Sequence, residues 1–298
     1  MAQITLLDGG MGQELLARTG DDPTPLWATQ VMIDHPDVVR DIHADYFAAG
    51  ATVATTNTYA IHHDRLQPFD RDHLFTELHH KALSQATEAR HRHGSGRIAG
   101  SMGPLVASYR PELCLHPDLA EPKYAEFARL LAPQVDLILL ETMASIAQAT
   151  GALRGAAAAG KPVWLSVTVA DADGTRLRSG EPLSGLAPVL AEYQPEAILV
   201  NCSVPEAMDS AMAEVARFGL PFGAYANGFT HITDAFKAPS PTVDALHART
   251  DLTPARYAAF ALGWVAAGAT IVGGCCEVGP AHIAELARQL RAAGHQIV

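Results

Sequence analysis

The chain has 298 residues, 48% of them hydrophobic and 18% charged, a composition typical of a globular enzyme with a sizeable core. Its 21 basic and 32 acidic residues give a net charge of −11 without any basic stripe or arm, which argues against nucleic acid or an anionic membrane surface as a partner. No apolar run reaches the roughly 20 residues that span a bilayer, and no basic leader opens the sequence. We therefore expect a cytoplasmic protein.

One pattern repeats eight times along the chain: a short apolar run rich in β-branched residues, a turn, and an amphipathic helical stretch. The pattern predicts strands over 4–9, 52–59, 98–103, 137–142, 163–169, 197–202, 222–227 and 269–275. The predicted helices cover 38–49, 73–93, 123–134, 145–159, 184–193, 205–218, 254–267 and 280–293. Three of these helices carry proline in the first turn, at Pro205, Pro254 and Pro280, as helix starts often do.

Strict alternation of strands and helices predicts a parallel sheet covered by helices. Eight such units favour a closed (β/α)8 TIM barrel, an α/β fold that commonly uses about 250 residues as one domain. The alternative is an open sheet with a dinucleotide crevice, but the Gly9-Gly10-Met11-Gly12 turn lacks the spacing of that fingerprint. We predict a single domain over residues 1–298. The long connections over 104–122 and 228–253 are candidate lids.

Polar and sulfur-containing residues lie where the predicted strands end, which is where the active sites of such barrels form. The strand ends carry Asp8, Asn57, Ser101, Glu141, Thr168, Cys202, Asn227, Cys275 and Cys276. A random distribution would place polar residues at both ends of the strands. The one-sided placement therefore indicates a functional edge.

Three of the four cysteines lie at this edge, and four cysteines are few for a disulfide scaffold of this length. Cys202 on its own could be a small core residue. Strands six and eight are two apart around a barrel, however, so Cys202, Cys275 and Cys276 can converge above its mouth. Three thiolates with one open position form a catalytic arrangement for Zn²⁺. We therefore predict a zinc site here.

Six segments of the chain resemble the homocysteine S-methyltransferase family, in order and over essentially the whole length. They are LDGGMG at 7–12, TTNTY at 55–59, GP at 103–104, ET at 141–142, VNC at 200–202 and GGCC at 273–276. That family is a zinc-containing (β/α)8 barrel that includes S-methylmethionine and betaine enzymes and the homocysteine module of cobalamin-dependent methionine synthase. The resemblance implies methyl transfer to the thiol of homocysteine, which gives methionine.

The resemblance also implies a role for each cysteine of the predicted edge. Cys202, Cys275 and Cys276 would hold the zinc ion and act in catalysis through it. Asn227 matches a position whose amide can take the fourth zinc position when substrate is absent. From the residues alone, Asn227 could equally be the turn residue of its Asn-Gly pair.

The homocysteine contacts come from the same resemblance. Asp8 and Glu141 would take the amino group of homocysteine, and the backbone amides of Gly9, Gly10 and Met11 would face its carboxylate. From the residues alone, Asp8 could instead cap the following turn. Glu141 could instead pair with a neighbouring base.

The methyl donor is predicted from what the chain carries and lacks. Trp27 and Tyr59 could offer ring faces to a cationic donor, and Asn57 is a further candidate substrate contact. The segment after Tyr59 lacks the additional tyrosine of betaine-type enzymes, and neither their C-terminal extension nor a cobalamin or folate module follows the barrel. We expect a free sulfonium donor, S-methylmethionine or more weakly S-adenosylmethionine; betaine or another donor is the alternative. Glu277 departs from the family pattern beside the paired cysteines.

Three other function classes fit these residues less well. The histidines at 62–63, 79–80, 91 and 93 lie away from strand ends, so we expect them to be solvated rather than metal ligands. A zinc hydrolase on this barrel would carry His-x-His at the end of strand one, where this chain has Asp-Gly-Gly. A thiol redox protein usually separates its cysteines by two residues, whereas Cys275 and Cys276 are adjacent. A binding protein without catalytic activity would bind ligand and show no turnover.

Overall fold

The computed structural model describes residues 1–238 and 241–298, and within these ranges it contains eleven strands. Numbered in chain order, they are β1 (Gln3–Leu6), β2 (Val53–Thr55), β3 (Arg97–Met102), β4 (Leu137–Met143), β5 (Val163–Val167), β6 (Val169–Ala170), β7 (Asp173–Leu177), β8 (Ala197–Asn201), β9 (Phe222–Tyr225), β10 (Ile271–Val272) and β11 (Gln296–Ile297). Eight of them, β1 to β5 and β8 to β10, correspond to the eight predicted strands.

These eight strands form a curled, wholly parallel sheet that closes on itself. The order runs β1-β10-β9-β8-β5-β4-β3-β2, and Leu7 pairs in parallel with Val53 to join β1 to β2. The Asp8 amide donates to the carbonyl of Val53 over 3.1 Å, and the Thr52 amide donates to the carbonyl of Leu6 over 2.7 Å. The predicted (β/α)8 fold is confirmed.

The helices lie outside the sheet. They are α1 (Met11–Thr19), α2 (Ala28–Asp34), α3 (Pro36–Ala49), α4 (His63–Leu66), α5 (Phe75–His93), α6 (Pro117–Leu131), α7 (Ile146–Ala156), α8 (Ala187–Tyr193), α9 (Pro205–Val215), α10 (Pro254–Ala266) and α11 (Pro280–Ala292). The sequence patterns missed α1, α2 and α4, and placed the start of α6 six residues too late. Pro117 starts α6, where its missing N–H has no intrahelical acceptor to lose.

The predicted fifth strand, 163–169, is wrong at its end. The parallel strand stops at Val167, and β6 and β7 then form an antiparallel hairpin that pairs Val169 with Leu177. The hairpin returns the chain to the carboxyl edge of the barrel. A further small strand, β11, pairs in parallel with β1.

Two apolar layers support the carboxyl edge. Inside the barrel, a buried cluster contains Leu7, Val53, Ala99, Leu137, Leu139, Trp164, Ala197, Leu199, Tyr225 and Ile271, and Cys275 packs on it. The larger cluster fills the space between the sheet and the helices. Within the described ranges, none of the helices combines the length and apolar character needed to cross a membrane. The interior packing leaves the open end of the barrel as the place for a cavity.

The expectation that the histidines are solvated is wrong for two of them. His62 and His79 are fully buried, and the burial lowers the pKa of His79 to about 4. Both rings pack on Phe127, so they are part of the core between helices. Among the described residues, the side chains that cluster closely enough to hold a metal ion are those of Cys202, Cys275 and Cys276.

Candidate functional site

A cavity of about 560 Å³ opens where the barrel strands end, a size suited to small organic substrates. Most residues predicted from the sequence line it: Asp8, Gly9, Gly10, Met11, Trp27, Asn57, Tyr59, Glu141, Cys202, Cys275 and Cys276. Asn227 and Glu277 are not among the lining residues. The cavity therefore collects side chains from the ends of β1, β2, β4, β8 and β10.

The three cysteines at this cavity form one cluster of free thiols. Their Sγ atoms all lie within 4.8 Å of one another, and the Sγ atoms of Cys202 and Cys275 are 2.6 Å apart. Hydrogen bonds from the thiols of Cys275 and Cys276 lower the pKa of Cys202, so the cluster favours a thiolate on that residue. Three convergent soft ligands, with no fourth His, Cys, Asp or Glu joining them among the described residues, fit the donor set of a catalytic zinc site.

Local backbone geometry explains why these cysteines can meet. Cys202 follows β8 directly and has a φ of 52°, a left-handed conformation that turns its side chain out of the strand alternation. Before Cys275, side chains at Gly273 and Gly274 would collide with Leu7 and Val278. Gly273 thus lies against the residue that follows β1, and Gly274 against its own loop, too closely at both positions for a side chain to fit.

Side chains missed by the sequence patterns hold Cys202 in place. Arg178, just after the β6–β7 hairpin, donates from Nη2 to the carbonyl of Cys202 over 3.1 Å and to Oδ1 of Asp171 over 2.8 Å. Its Nε donates to Thr168 over 2.9 Å, and its guanidinium lies 5.1 Å from the centre of the Tyr109 ring. No periodicity marks Arg178, because its partners are set by the fold.

Asp8 and Glu141 are buried acids with hydroxyl and amide partners but no basic partner among the described residues. Asp8 accepts from the amide and hydroxyl of Thr55 over 2.7 and 2.8 Å, and burial raises its pKa to about 8. Glu141 accepts from the hydroxyls of Ser101 and, over 2.9 Å, Tyr225; burial raises its pKa to about 7. Both carboxyl groups are therefore poised to become charged when a cation enters.

These contacts bear on the alternative roles considered for the two acids. Helix α1 has Gly10 as its N-cap residue and no side-chain cap, so Asp8 does not cap it. Glu141 makes no ion pair with a base in the part of the chain that the structure describes. Helix capping therefore does not account for Asp8, and pairing with a base does not account for Glu141.

The turn between β1 and α1 departs from the expectation in one respect. The amide of Gly10 already donates to the carbonyl of Val278 over 3.0 Å, so it cannot face a substrate carboxylate. A side chain at Gly9 would collide with the same carbonyl. Met11 begins α1, where the first amides lack intrahelical acceptors. Of the three amides expected to face a carboxylate, that of Gly10 is therefore occupied, whereas that of Met11 lies at a helix start, a position that suits an anion.

The aromatic residues predicted for the donor stand together at the cavity wall. The rings of Trp27 and Tyr59 meet edge to face with centroids 6.5 Å apart, and the Tyr59 hydroxyl hydrogen-bonds Ser108 over 2.7 Å. Gly12 packs directly under the indole, because a side chain there would collide with Trp27. The two rings offer an apolar, electron-rich wall to a cation.

The two predicted asparagines have mainly structural contacts. Asn57 donates from Nδ2 to the carbonyl of Ala28 over 3.3 Å, which ties α2 to the end of β2. Asn227 is fully buried, its Oδ1 accepts from the amide of Phe229 over 3.2 Å, and its Nδ2 has no hydrogen-bond partner among the described residues. The contact with Phe229 matches the turn role of Asn227.

The predicted lid over 228–253 contributes to the cavity wall, while two of its residues, Pro239 and Ser240, lie outside the described residues. Phe229, Ile232 and Leu246 of this loop form a cluster with Tyr109 and Cys202. The loop therefore covers the cysteine side of the cavity with apolar side chains.

The comparisons with known proteins agree with this geometry. The sequence profile described as homocysteine S-methyltransferase matches residues 5–290. The chain is 30% identical to the homocysteine S-methyltransferase of Escherichia coli, with 95% of this chain and 94% of the relative covered. It is 29% identical to homocysteine S-methyltransferase 4 of Zea mays, over 97% and 90% of the two chains.

A solved structure shares the fold. The homocysteine methyltransferase MmuM from Escherichia coli, in its metallated form, superposes with a TM-score of 0.80 at 26% identity, and 96% of each chain is covered. The profile match, the relatives and the fold all extend over nearly the full length. This chain belongs to the homocysteine S-methyltransferase family.

Proposed function

We propose that this protein transfers a methyl group from a small sulfonium donor to the thiol of homocysteine, giving methionine, with Zn²⁺ held by Cys202, Cys275 and Cys276. The observation that carries the proposal is the placement of three convergent thiols and two buried acids, neither of which has a basic partner among residues 1–238 and 241–298, around one cavity. Reduced thiols in such a cluster suit a reducing compartment, which favours the cytoplasm.

The two acids match the amino end of homocysteine. An ammonium group that enters between Asp8 and Glu141 supplies the positive charge that both carboxyl groups lack in the buried site. Each acid is already oriented by hydrogen bonds, Asp8 by Thr55 and Glu141 by Ser101 and Tyr225. Binding therefore needs little rearrangement, and the charge pairing offsets the desolvation of the acids.

The cysteine cluster matches the sulfur end. A free thiol has a pKa near 8.5 and is mostly protonated at neutral pH, whereas a zinc ion held by the three cysteines would favour the thiolate of homocysteine, with the proton released to solvent. The homocysteine sulfur then attacks the methyl carbon of the donor. The bond between that carbon and the donor sulfur breaks, its electron pair returns to the donor sulfur, and the sulfonium becomes a neutral thioether.

The remaining walls position the donor. The rings of Trp27 and Tyr59 offer their faces to the sulfonium charge, and the apolar cluster around Tyr109 and Phe229 excludes water from the transfer. Holding donor and acceptor in line is the main catalytic contribution that such a site can make.

A donor screen tests the proposal. Zinc-loaded protein is given saturating homocysteine with S-methylmethionine, S-adenosylmethionine, dimethylsulfoniopropionate or betaine at equal concentration, and methionine is measured. We expect S-methylmethionine to be fastest and S-adenosylmethionine slower. Betaine as the fastest donor would refute the sulfonium assignment, and absence of methionine with every donor would refute methyl transfer from this group of donors.

A further inference from the structure

Three cationic side chains line the cavity, and they differ in their partners. Arg110 pairs with Glu112, and Lys237 pairs with Asp234 over 3.1 Å. Arg65 has no carboxylate within ion-pair distance among residues 1–238 and 241–298. Arg65 therefore brings a positive charge to the cavity that the described part of the protein does not neutralise.

The side chain of Arg65 is half-buried, and only some of its N–H groups donate hydrogen bonds to described atoms. Its Nη2 donates to the carbonyl of Pro104 and to the hydroxyl of Ser108, each over 3.2 Å. Its Nε is buried without a hydrogen-bond partner in the described structure, and Nη1 donates to no described atom. Leaving buried donors unpaired is costly, and a carboxylate ligand would satisfy a guanidinium in bidentate fashion.

The neighbouring Asp64 has a buried carboxylate oxygen that lacks a donor among the described residues. Its Oδ2 accepts from the amide of Val106, whereas its Oδ1 is buried with no hydrogen-bond partner in the described residues. Asp64 and Arg65 are consecutive on α4, both line the cavity, and they do not pair with each other. The cavity wall thus presents one anion and one cation side by side.

Tyr59 relates this pair to the cysteine cluster. The Arg65 guanidinium lies 5.8 Å from the centre of the Tyr59 ring. The Tyr59 hydroxyl hydrogen-bonds Ser108 over 2.7 Å, the same hydroxyl group that accepts from Arg65, and Tyr59 lines the same cavity as the three cysteines. A donor whose sulfonium meets the Tyr59 ring near the cysteines can therefore extend its far end to Asp64 and Arg65.

We propose that Asp64 and Arg65 bind the α-ammonium and α-carboxylate groups of the methyl donor and select a zwitterionic sulfonium amino acid. This assignment rests on the proposed methyl transfer and names the substrate class of its donor subsite. In S-methylmethionine two methylenes and the α-carbon separate the sulfonium from the carboxylate, a reach comparable to the length of the Tyr59 ring. The homocysteine subsite proposed above uses different residues, the acids Asp8 and Glu141, so the two amino acids do not compete.

The test compares three sulfonium donors. S-methylmethionine carries both charged groups, dimethylsulfoniopropionate carries only the carboxylate, and aminopropyl dimethylsulfonium carries only the ammonium. Arg65→Met should lower kcat/KM by about tenfold to hundredfold for the two donors with a carboxylate and leave the third unchanged. Asp64→Asn should affect the two donors with an ammonium and spare dimethylsulfoniopropionate. The KM for homocysteine should stay the same in both variants.

The chain offers a matched control in Asp70-Arg71, the same residue pair placed on the surface outside the cavity. Arg71→Met should match the unsubstituted protein with all three donors. An equal loss for all donors in Arg65→Met, or a raised KM for homocysteine, would overturn the assignment.

Direct binding separates this inference from the proposed function. Calorimetry of S-methylmethionine without homocysteine should show weaker binding to Arg65→Met than to Arg71→Met. If no donor supports methionine formation but this difference is found, the subsite stands and methyl transfer to homocysteine is wrong. If methionine forms and the difference is absent, the donor subsite is wrong and the proposed function stands.

Discussion

Replacing Arg178 with Met should weaken zinc binding although Arg178 is not a predicted ligand. The side chain donates to the carbonyl of Cys202, pairs with Asp171 and donates to Thr168. Cys202 has a left-handed backbone conformation, which a residue other than glycine keeps only when its surroundings hold it. Methionine retains the apolar stem of arginine and removes all of these hydrogen bonds.

The expected loss of zinc affinity follows from the contacts that the substitution removes. Arg178 and Asp171 are 10% and 20% exposed, so their pair is mostly shielded from solvent. Removal of groups that orient a metal ligand typically weakens metal binding about 10–100-fold, or about 1.4–2.8 kcal/mol. Asp171 keeps the amide of Val204 as a donor over 3.2 Å. We therefore expect the loss of global stability to stay near 1–3 kcal/mol, small enough for the fold to persist.

The measurement is a zinc competition titration against a chelator of known affinity, with circular dichroism to check folding. Arg176→Met is the matched control, because Arg176 lies on the same hairpin but is 54% exposed and pairs with the exposed Asp173. Equal zinc affinity in the two folded variants would refute the claim that Arg178 positions Cys202.

Three further predictions concern the cluster and the acids. Cys275→Ala should release zinc and abolish turnover, whereas Cys114→Ala should do neither, because Cys114 belongs neither to the cysteine cluster nor to the cavity lining. Metal analysis and a methionine assay would show this; zinc retained in Cys275→Ala would contradict the ligand set. Glu141→Gln should raise the KM for homocysteine without releasing zinc, and methylation of a simple alkyl thiol should be nearly unaffected, since that thiol has no amino group. Finally, the pKa values of about 8 for Asp8 and about 7 for Glu141 exceed their usual 3.8 and 4.5, so the folded, metal-free protein holds more protons than the unfolded chain between those limits. Its free energy of unfolding should therefore fall as the pH rises from about 5 to 8, and Asp8→Asn should flatten that slope in urea titrations; an unchanged slope would refute the shifted pKa of Asp8.

Much of the site could be predicted because parallel strands bring their carboxyl ends to one edge. Alternating apolar runs and amphipathic stretches indicate eight β/α units, because each run and each stretch can be recognised from neighbouring residues in the sequence. Asp8, Glu141, Cys202 and Cys275 each follow or end such a run, so their common edge followed from topology before any distance was known.

Hydrogen-bond partners far apart in the chain were decided only by the closed barrel. Arg178 reaches Cys202 from the end of a hairpin in which β6 has only two residues and β7 is mostly polar, so neither strand shows an apolar period. The amide of Gly10 is taken by Val278, more than 260 positions away, because the loop after β10 packs against the start of α1. Asp64 and Arg65 are adjacent but form no ion pair with each other, and each keeps a buried polar atom without a partner in the described part of the chain, which no local pattern encodes. Periodicity specifies which face of an element is buried, whereas partner choice depends on three-dimensional packing that exists only when the sheet closes.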